Sequence, residues 1–239
     1  MENSTENDII QIKEETINNY HCYYSYFNLS KISKIIIWPA TMHFIETVQI
    51  LSTLTSKKDY IIISFEVNSW NKELSPWFQK AIFEKSEDFT GNGKETLNFI
   101  INTLIPYFEN KFPQIKNIPK FIGGYSLSGL FSLWVFYSVN IFNGVAAMSP
   151  SLWFDNWDKF IENKKVNENS FIYLSLGDKE EKTKNKFMKI VGDRVRKQYD
   201  IFHNYCNVKN CFYDVNPGGH FNDIKLRISK GFSWIINNT

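Results

Sequence analysis

The chain has few cysteines, little excess charge of either sign and no long apolar run. Its 239 residues contain three cysteines, which are too few and too scattered for a disulfide framework. They form no CxxC motif or Cys/His cluster with metal-binding spacing, so we expect no metal site and no cofactor. A net charge of +2 gives no reason to expect a nucleic acid or an anionic membrane surface as a partner.

Segments for export or membrane insertion are also missing from the pattern. No apolar run approaches the ~20 residues needed to span a bilayer, and the polar, acidic N-terminus is unlike a signal peptide. We therefore expect a soluble, cytoplasmic protein. No repeat or low-complexity linker interrupts the chain, and its length is ordinary for one domain. This predicts a single domain over residues 1–239, with residues 1–14 as a flexible segment.

Apolar and aromatic residues are abundant, at 43% and 17% of the chain. Short apolar runs alternate with segments in which apolar residues recur at helical spacing. Predicted strands cover residues 17–27, 34–40, 60–67, 121–125, 142–149, 171–176 and 211–215, and the main predicted helices cover 42–54, 94–110, 126–139, 155–165, 184–207 and 224–236. This alternation predicts the α/β class, with a mostly parallel sheet covered by helices on both faces.

A serine lies between one of these strands and the next helix, in the segment FIGGYSLSGLFSLW (residues 121–134). The segment is close to the pattern G-x-S-x-G, in which small residues let strand and helix approach around a strained turn that exposes the serine. Gly124 and Ser126 match the pattern, and Ser128 replaces its last glycine. Ser126 is therefore a candidate nucleophile. A five-residue match is weak evidence by itself, so the other groups of a catalytic site must be found elsewhere.

A serine nucleophile needs a base, and the chain offers four histidines. His220 is the strongest candidate because it lies on a Pro-Gly-Gly loop directly after the last predicted strand. His43 follows another strand and could line a pocket. His21 and His203 fit packed or surface positions better. The alternative for His220 is a turn residue without a catalytic task.

The orienting acid should follow the strand before last, in the chain order Ser, acid, His. Three carboxylates compete in the segment LGDKEEKT: Asp178, Glu180 and Glu181. Asp178 directly follows a glycine and can close a turn or cap a helix. Glu180 and Glu181 are far enough past the strand to reach back to an imidazole, and we favour Glu180. The alternative for both is a solvated position at a helix start.

Two backbone amides should bind the oxyanion that forms during acyl transfer. The N–H of Leu127, at the start of the helix, is one candidate. The other should come from the loop after the strand at residues 34–40, near Thr41. This loop has no glycine run.

Aromatic loops should form the walls of the site. Trp153 follows a Ser-Pro-Ser turn, and Trp70 and Trp77 belong to the long loop at residues 68–77. A core position is the alternative for each of these tryptophans. The chain leaves no room for a large cap domain between residues 154 and 171, so the cleft should be open. An aromatic, open cleft suits a moderately large ester, such as an aryl or peptide-like ester.

Four segments together resemble a known family: GGYSLSGLFSLW, AAMSPSLWF, SLGDKEEKT and GGHF. From about Lys34 to the C-terminus the chain is similar to the α/β-hydrolase branch that contains esterase D-like, enterochelin-type and feruloyl esterases. The resemblance implies an α/β-hydrolase fold and hydrolysis of a small-molecule ester through an acyl-enzyme. It implies Ser126 as nucleophile, His220 as base and one of Glu180 and Glu181 as acid. A weak or inactive scaffold protein and an acyltransferase are the alternatives.

Overall fold

The computed structural model describes residues 9–39, 43–82 and 86–239. The strands are β1 Gln11–Ile17, β2 Tyr20–Tyr26, β3 Lys34–Pro39, β4 Tyr60–Phe65, β5 Phe78–Gln79, β6 Phe89–Thr90, β7 Lys120–Tyr125, β8 Gly144–Met148, β9 Phe171–Gly177 and β10 Asn210–Asn216. The α-helices are α1 Phe44–Leu54, α2 Trp70–Glu73, α3 Gly93–Phe99, α4 Ile105–Lys111, α5 Leu127–Ser138, α6 Trp157–Ile161, α7 Val191–Asp200 and α8 Ile224–Asn238. Short π-helical segments, Ile100–Leu104 and Ile201–Tyr205, directly follow α3 and α7.

Eight strands form one sheet in the order β1-β2-β4-β3-β7-β8-β9-β10. Neighbouring strands in the series β4-β3-β7-β8-β9-β10 pair in parallel. A hairpin of β1 and β2 extends the sheet antiparallel to β4, and β5 pairs with β6 in a separate ribbon. The predicted α/β class with a mostly parallel sheet is confirmed.

Burial explains why these apolar runs form strands. Every residue of β3, β4 and β8 is buried, as expected when helices cover both faces of a parallel sheet. One face of the sheet packs against α3, α4, α5 and α7, and the opposite face packs against α1 and α8. α5 is buried almost all round, which accounts for its nearly uniform apolar sequence.

The predicted early strand proves to be a hairpin. β1 and β2 are joined at Asn18 and Asn19, which both have positive φ (46° and 66°), a conformation that asparagine tolerates in tight hairpin turns. Residues 11–14 of the segment expected to be flexible therefore belong to a strand. The sequence concealed β1 because its polar side chains lie at the edge of the sheet, where one face is solvated.

Two helices are shorter than predicted. The helix expected over residues 184–207 begins as an α-helix at Val191, after a short 3-10 turn. The helix expected over residues 155–165 spans Trp157–Ile161, because Asn156 before it has a positive φ of 61°. Neither difference moves the strand ends. The carboxyl ends of β7, β8, β9 and β10 meet along one edge of the sheet, where ligands of such folds bind.

In the parts of the chain that the structure describes, no helix combines the length and hydropathy needed to cross a membrane.

Candidate active site

Ser126 lies on a strained turn between β7 and α5. Its backbone has φ 59° and ψ −123°, a region that side chains rarely adopt and that costs on the order of 1–3 kcal/mol. The turn is held from both sides: the Ser126 N–H donates to the Met148 carbonyl (3.1 Å), and its own carbonyl accepts from the Ser151 N–H (3.0 Å). The backbone is thereby fixed in a conformation that places Ser126 on the wall of a cavity.

Small residues around the turn allow β7 and α5 to approach each other closely. A Cβ atom on Gly124 would lie 2.1 Å from Ser128 Oγ, so no other residue fits at position 124 without movement. Ser128, which replaces the last glycine of the motif, is buried, and its hydroxyl donates to the carbonyl of Pro39. The departure from the motif therefore adds a hydrogen bond between α5 and the end of β3.

His220 lies next to the serine. Its Nε2 atom is 2.9 Å from Ser126 Oγ, and its Nδ1 atom is 2.7 Å from Oε2 of Glu180. The imidazole is 12% exposed and the carboxylate 1%. The hydroxyl, the imidazole and the carboxylate thus form a continuous hydrogen-bonded row.

The loop that carries His220 is fixed by backbone contacts. Gly218 has a φ of 95°, which glycine adopts without strain, and its N–H donates to Asp178 Oδ1 (2.7 Å). The N–H of Gly219 donates to Asn222 Oδ1 (2.8 Å). The Tyr125 hydroxyl donates to the carbonyl of His220 itself. These contacts fix the position and orientation of the imidazole.

Glu180 is held by four groups. Its Oε1 atom accepts from the Gly177 N–H (2.7 Å), the Ser149 hydroxyl (2.6 Å) and Arg227 Nη1 (3.0 Å), while Oε2 faces His220. Burial alone raises the pKa of the Glu180 carboxyl, but hydrogen bonds from His220, Ser149 and Gly177 and the charge on His220 outweigh burial and lower it. The carboxylate is therefore ionised at neutral pH.

The structure separates the three acid candidates. Glu180 contacts His220, whereas Glu181 pairs with Arg196 (2.8 Å) and is one-third exposed. Asp178 accepts the Gly218 N–H and so fixes the histidine loop. His43, the other histidine considered for the pocket, is about half exposed and faces Glu46 at 3.8 Å.

Of the two candidate oxyanion donors, one lies within the described residues. Leu127 is the first residue of α5, so its N–H is one of the amides that have no partner within the helix. Thr41 lies outside the described residues and stays a prediction. Ser151 is a polar neighbour that the sequence analysis did not single out: its Oγ lies 3.3 Å from Ser126 Oγ. The Ser-Pro-Ser turn was the signal that could have identified it.

A cavity of about 230 Å³ opens beside Ser126 and His220. Of the three tryptophans expected as walls, Trp70 lines it. Trp153 is 6% exposed and packs edge-on against Phe89. Trp77 donates its ring N–H to the Asp155 carbonyl and does not line the cavity. The wall positions expected for Trp153 and Trp77 were wrong, because both rings pack among core aromatic side chains.

Other apolar side chains take their place on the wall. They are Trp38 at the end of β3, Phe221 beside the histidine, and Ile224 and Ile228 on α8. The spacing of the two isoleucines, one helical turn apart, was the available signal for the α8 face.

Within the described ranges, no three His, Cys, Asp or Glu side chains are grouped so that they could hold a metal ion.

Comparison with known proteins places the chain in a family. Residues 39–222 match the family model described as "Putative esterase". The uncharacterized protein YbbA of Bacillus subtilis (strain 168) is 24% identical over 135 residues, which are 55% of this chain and 54% of that protein. The chain thus matches about half the length of this curated relative.

Solved structures share the fold at low sequence identity. The siderophore hydrolase EstA from Aspergillus nidulans has a TM-score of 0.78 and 17% identity, covering 100% of this chain and 97% of that one. An IroE-like serine hydrolase from Shewanella oneidensis has a TM-score of 0.77 and 13% identity, covering 95% and 81%. Given the family match over most of its length, the chain belongs to the "Putative esterase" family of the α/β-hydrolase fold.

Proposed function

We propose that this protein is a serine carboxylic-ester hydrolase that forms an acyl-enzyme on Ser126. His220 is the proton acceptor, and Glu180 is the acid that orients it. The observation that carries the proposal is the pair of hydrogen bonds from Ser126 Oγ to His220 Nε2 (2.9 Å) and from His220 Nδ1 to Glu180 Oε2 (2.7 Å). Membership of an esterase family supports an ester as the substrate.

The first half of the reaction acylates the serine. As Ser126 Oγ attacks the ester carbonyl, His220 Nε2 takes the hydroxyl proton, and Glu180 stabilises the imidazolium through Nδ1–H. The carbonyl oxygen becomes an oxyanion near the Leu127 N–H, where the positive end of the α5 dipole favours negative charge. The C–O bond to the alcohol then breaks, and Nε2 donates its proton to the leaving oxygen.

The second half returns the enzyme to its starting state. Water gives a proton to His220 Nε2 and attacks the acyl carbonyl on Ser126. The bond to Oγ breaks, Oγ recovers the proton from the imidazole, and the carboxylic acid leaves. Thr41 as a second oxyanion donor and the cytoplasmic location remain predictions.

Covalent trapping tests the proposal directly. A fluorophosphonate should add one phosphonyl group per protein molecule, because the activated hydroxyl displaces fluoride, and the labelled peptide should carry it on Ser126. Intact-mass measurement gives the stoichiometry, and peptide mapping separates Ser126 from the nearby Ser128 and Ser151. Ester hydrolysis should disappear at the same rate as the label appears.

Heat-denatured protein is the control for this labelling, since unfolding removes the base from the serine. Absence of labelling at high probe concentration in folded protein would contradict the proposal and favour a non-catalytic binding role. Labelling of Ser151 or Ser128 instead of Ser126 would contradict the choice of nucleophile.

A further inference from the structure

We infer that the cavity beside Ser126 binds a neutral, apolar group of the substrate, an alkyl or aryl group larger than a benzene ring. This inference rests on the proposed function and names the class of ester that it acts on. It follows from the side chains that line the cavity, from the hydrogen bonds that already engage its polar groups, and from the volume.

Most of the described cavity wall is apolar. Trp38 and Trp70 supply indole rings, and Ile224 and Ile228 supply branched side chains from α8. Phe221, next to the catalytic histidine, is 82% exposed and extends the apolar surface outward to the rim. Transfer of an alkyl or aryl group from water to such a surface is favourable in proportion to the area covered.

The two hydroxyl groups that line the cavity beside Ser126 already have partners. The Tyr125 hydroxyl donates to the His220 carbonyl, and the Ser128 hydroxyl donates to the Pro39 carbonyl. Apart from the two indole N–H groups, Ser126 and His220 are thus the described lining residues whose polar side-chain atoms remain for the substrate. A hydroxylated or charged substrate group would lose most of its hydrogen bonds to water on entering, which is unfavourable in an apolar site.

Nearby charges do not compensate for this. Arg227 is 1% exposed and directs its guanidinium to Glu180, away from solvent. Lys225 on α8 lies 3.6 Å from Glu46, so its charge is balanced at the surface. None of the described residues that line the cavity carries a lysine or arginine charge. The described part of the site therefore supplies no cation for a carboxylate or phosphate.

The volume sets the size of the group. An apolar cavity of about 150 Å³ binds benzene, and this one measures about 230 Å³. It can take an aromatic ring with a short linker or a linear chain of similar size. An acetyl group would leave most of the apolar wall exposed to water.

A matched series of 4-nitrophenyl esters tests the inference. Hexanoate and 3-phenylpropanoate should exceed acetate in kcat/KM by about tenfold to a hundredfold, because each added methylene buried in an apolar pocket contributes to transition-state binding. The adipate half-ester, which has a carboxylate in place of the terminal methyl of hexanoate, should be at least about a hundredfold poorer than hexanoate. A second series of acetate esters, with ethyl, hexyl and benzyl alcohols, shows whether the group enters on the alcohol side.

Two variants sharpen the test. Ile224→Lys places a cation on the cavity wall and should raise kcat/KM for the adipate half-ester relative to hexanoate at least tenfold, since it supplies the missing partner. Leu226→Lys adds the same charge on the same helix, at a residue that does not line this cavity, and should leave the ratio within about twofold.

The outcomes separate this inference from the proposed function. If 4-nitrophenyl acetate is cleaved as well as the hexanoate and ethyl acetate as well as hexyl and benzyl acetate, or if the adipate half-ester matches hexanoate, the inference fails while ester hydrolysis stands. If no ester is hydrolysed and the phosphonate does not label Ser126, the proposed function itself fails.

A second inference rests on a different observation. The geometry points to Arg227 as a positioning residue for the acid and the base. Its side chain is 1% exposed, and its Nε atom makes no hydrogen bond within the described residues. A buried arginine with an unsatisfied nitrogen is unfavourable for stability by itself, so its contacts are the reason for its position.

One guanidinium joins the two halves of the site. Nη1 donates to Glu180 Oε1 (3.0 Å), and Nη2 donates to the Pro217 carbonyl in the histidine loop (2.8 Å). Nη1 also lies 3.2 Å from the Tyr125 hydroxyl, which donates to the His220 carbonyl. Since Oε1 is anchored in this way, Oε2 is directed at His220 Nδ1.

A double-mutant cycle tests this role, which also rests on the proposed function. Arg227→Met should lower kcat about a hundredfold, since small displacements of catalytic groups have effects of this size, and KM for acetate should stay within about twofold because Arg227 does not line the cavity. Arg227→Lys, which keeps the charge, should recover part of kcat. In a Glu180→Gln background the Arg227→Met substitution should lower kcat less than about threefold, because the carboxylate through which Arg227 acts is already absent.

The double variant also protects the test against misfolding, since it removes both partners of the buried ion pair together. Thermal unfolding identifies the variants that fold. An unchanged kcat in Arg227→Met, or an equal loss in both backgrounds, would show that Arg227 does not act through Glu180.

Discussion

Replacing Ser126 with alanine should lower kcat for ester hydrolysis by a factor of about 10⁴ to 10⁶, because the acyl-enzyme can no longer form. The hydroxyl lies 2.9 Å from His220 Nε2 and faces the cavity, so its loss leaves the base without a nucleophile. Initial rates with a 4-nitrophenyl ester measure the effect. The residual rate should come from binding and oxyanion stabilisation alone.

A second serine on the same helix is the matched control. Ser138 is exposed at the far end of α5, where its hydroxyl donates to the Trp134 carbonyl, and Ser138→Ala should keep kcat within about twofold because surface changes of this kind are nearly neutral. Hydrolysis by Ser126→Ala at the wild-type rate would eliminate the proposed mechanism.

The strained turn adds a second readout. Ser126 has a φ of 59°, which glycine adopts without penalty. Ser126→Gly should therefore unfold at a higher temperature than Ser126→Ala, although both are inactive. Such a result would show that the backbone strain at this position serves the presentation of the hydroxyl and not the stability of the fold.

Local chemistry made part of this site predictable. The serine is recognisable because the turn that holds it requires glycine at position 124, next to Ser128. Both residues lie within the same short segment, so the pattern is visible in the sequence. His220 follows from a Pro-Gly-Gly loop whose backbone angles are special at Gly218. The order of strands and helices follows from apolar runs that are buried on both faces.

Other features of the site depend on packing between distant segments, which the sequence pattern does not reveal. Trp153 and Trp77 were expected on the cavity wall, but whether an indole faces a cavity or a core depends on aromatic partners that come from distant segments. Arg227 was not singled out, because a charged residue on an amphipathic helix normally faces water. Its burial depends on Glu180 and on the Pro217 carbonyl, which come from two other segments.

Glu180→Gln should lower kcat by a factor of about 10³ to 10⁴, in the range known for the acid of other serine triads. The amide can present an N–H to Nδ1, which would favour the wrong tautomer of His220, and it cannot stabilise the imidazolium. The same ester assay measures the loss. Phosphonate labelling of Ser126 should slow in parallel, because both reactions need the base.

Glu181→Gln is the matched control, since it makes the same chemical change one residue away. A turn in which the Glu180 N–H donates to the Gly177 carbonyl (3.1 Å) directs Glu180 inward, whereas Glu181 pairs with Arg196 at the surface. An exposed ion pair contributes about 0–1 kcal/mol to stability, and kcat should stay within about twofold. A large loss in Glu181→Gln with a small loss in Glu180→Gln would reverse the assignment of the acid.

The pH dependence of stability gives an independent check of the same pair. Since the pKa of Glu180 is lowered in the folded state from its ordinary value of 4.5, the ionised carboxylate stabilises the fold above about pH 4.5, and this contribution is lost as pH falls through the folded pKa. The free energy of unfolding of Glu180→Gln should therefore lie below that of the wild type at neutral pH, and the difference should narrow in acid. A difference that does not change with pH would mean that the ionised carboxylate of Glu180 is not what holds the histidine loop, Arg227 and Ser149 together.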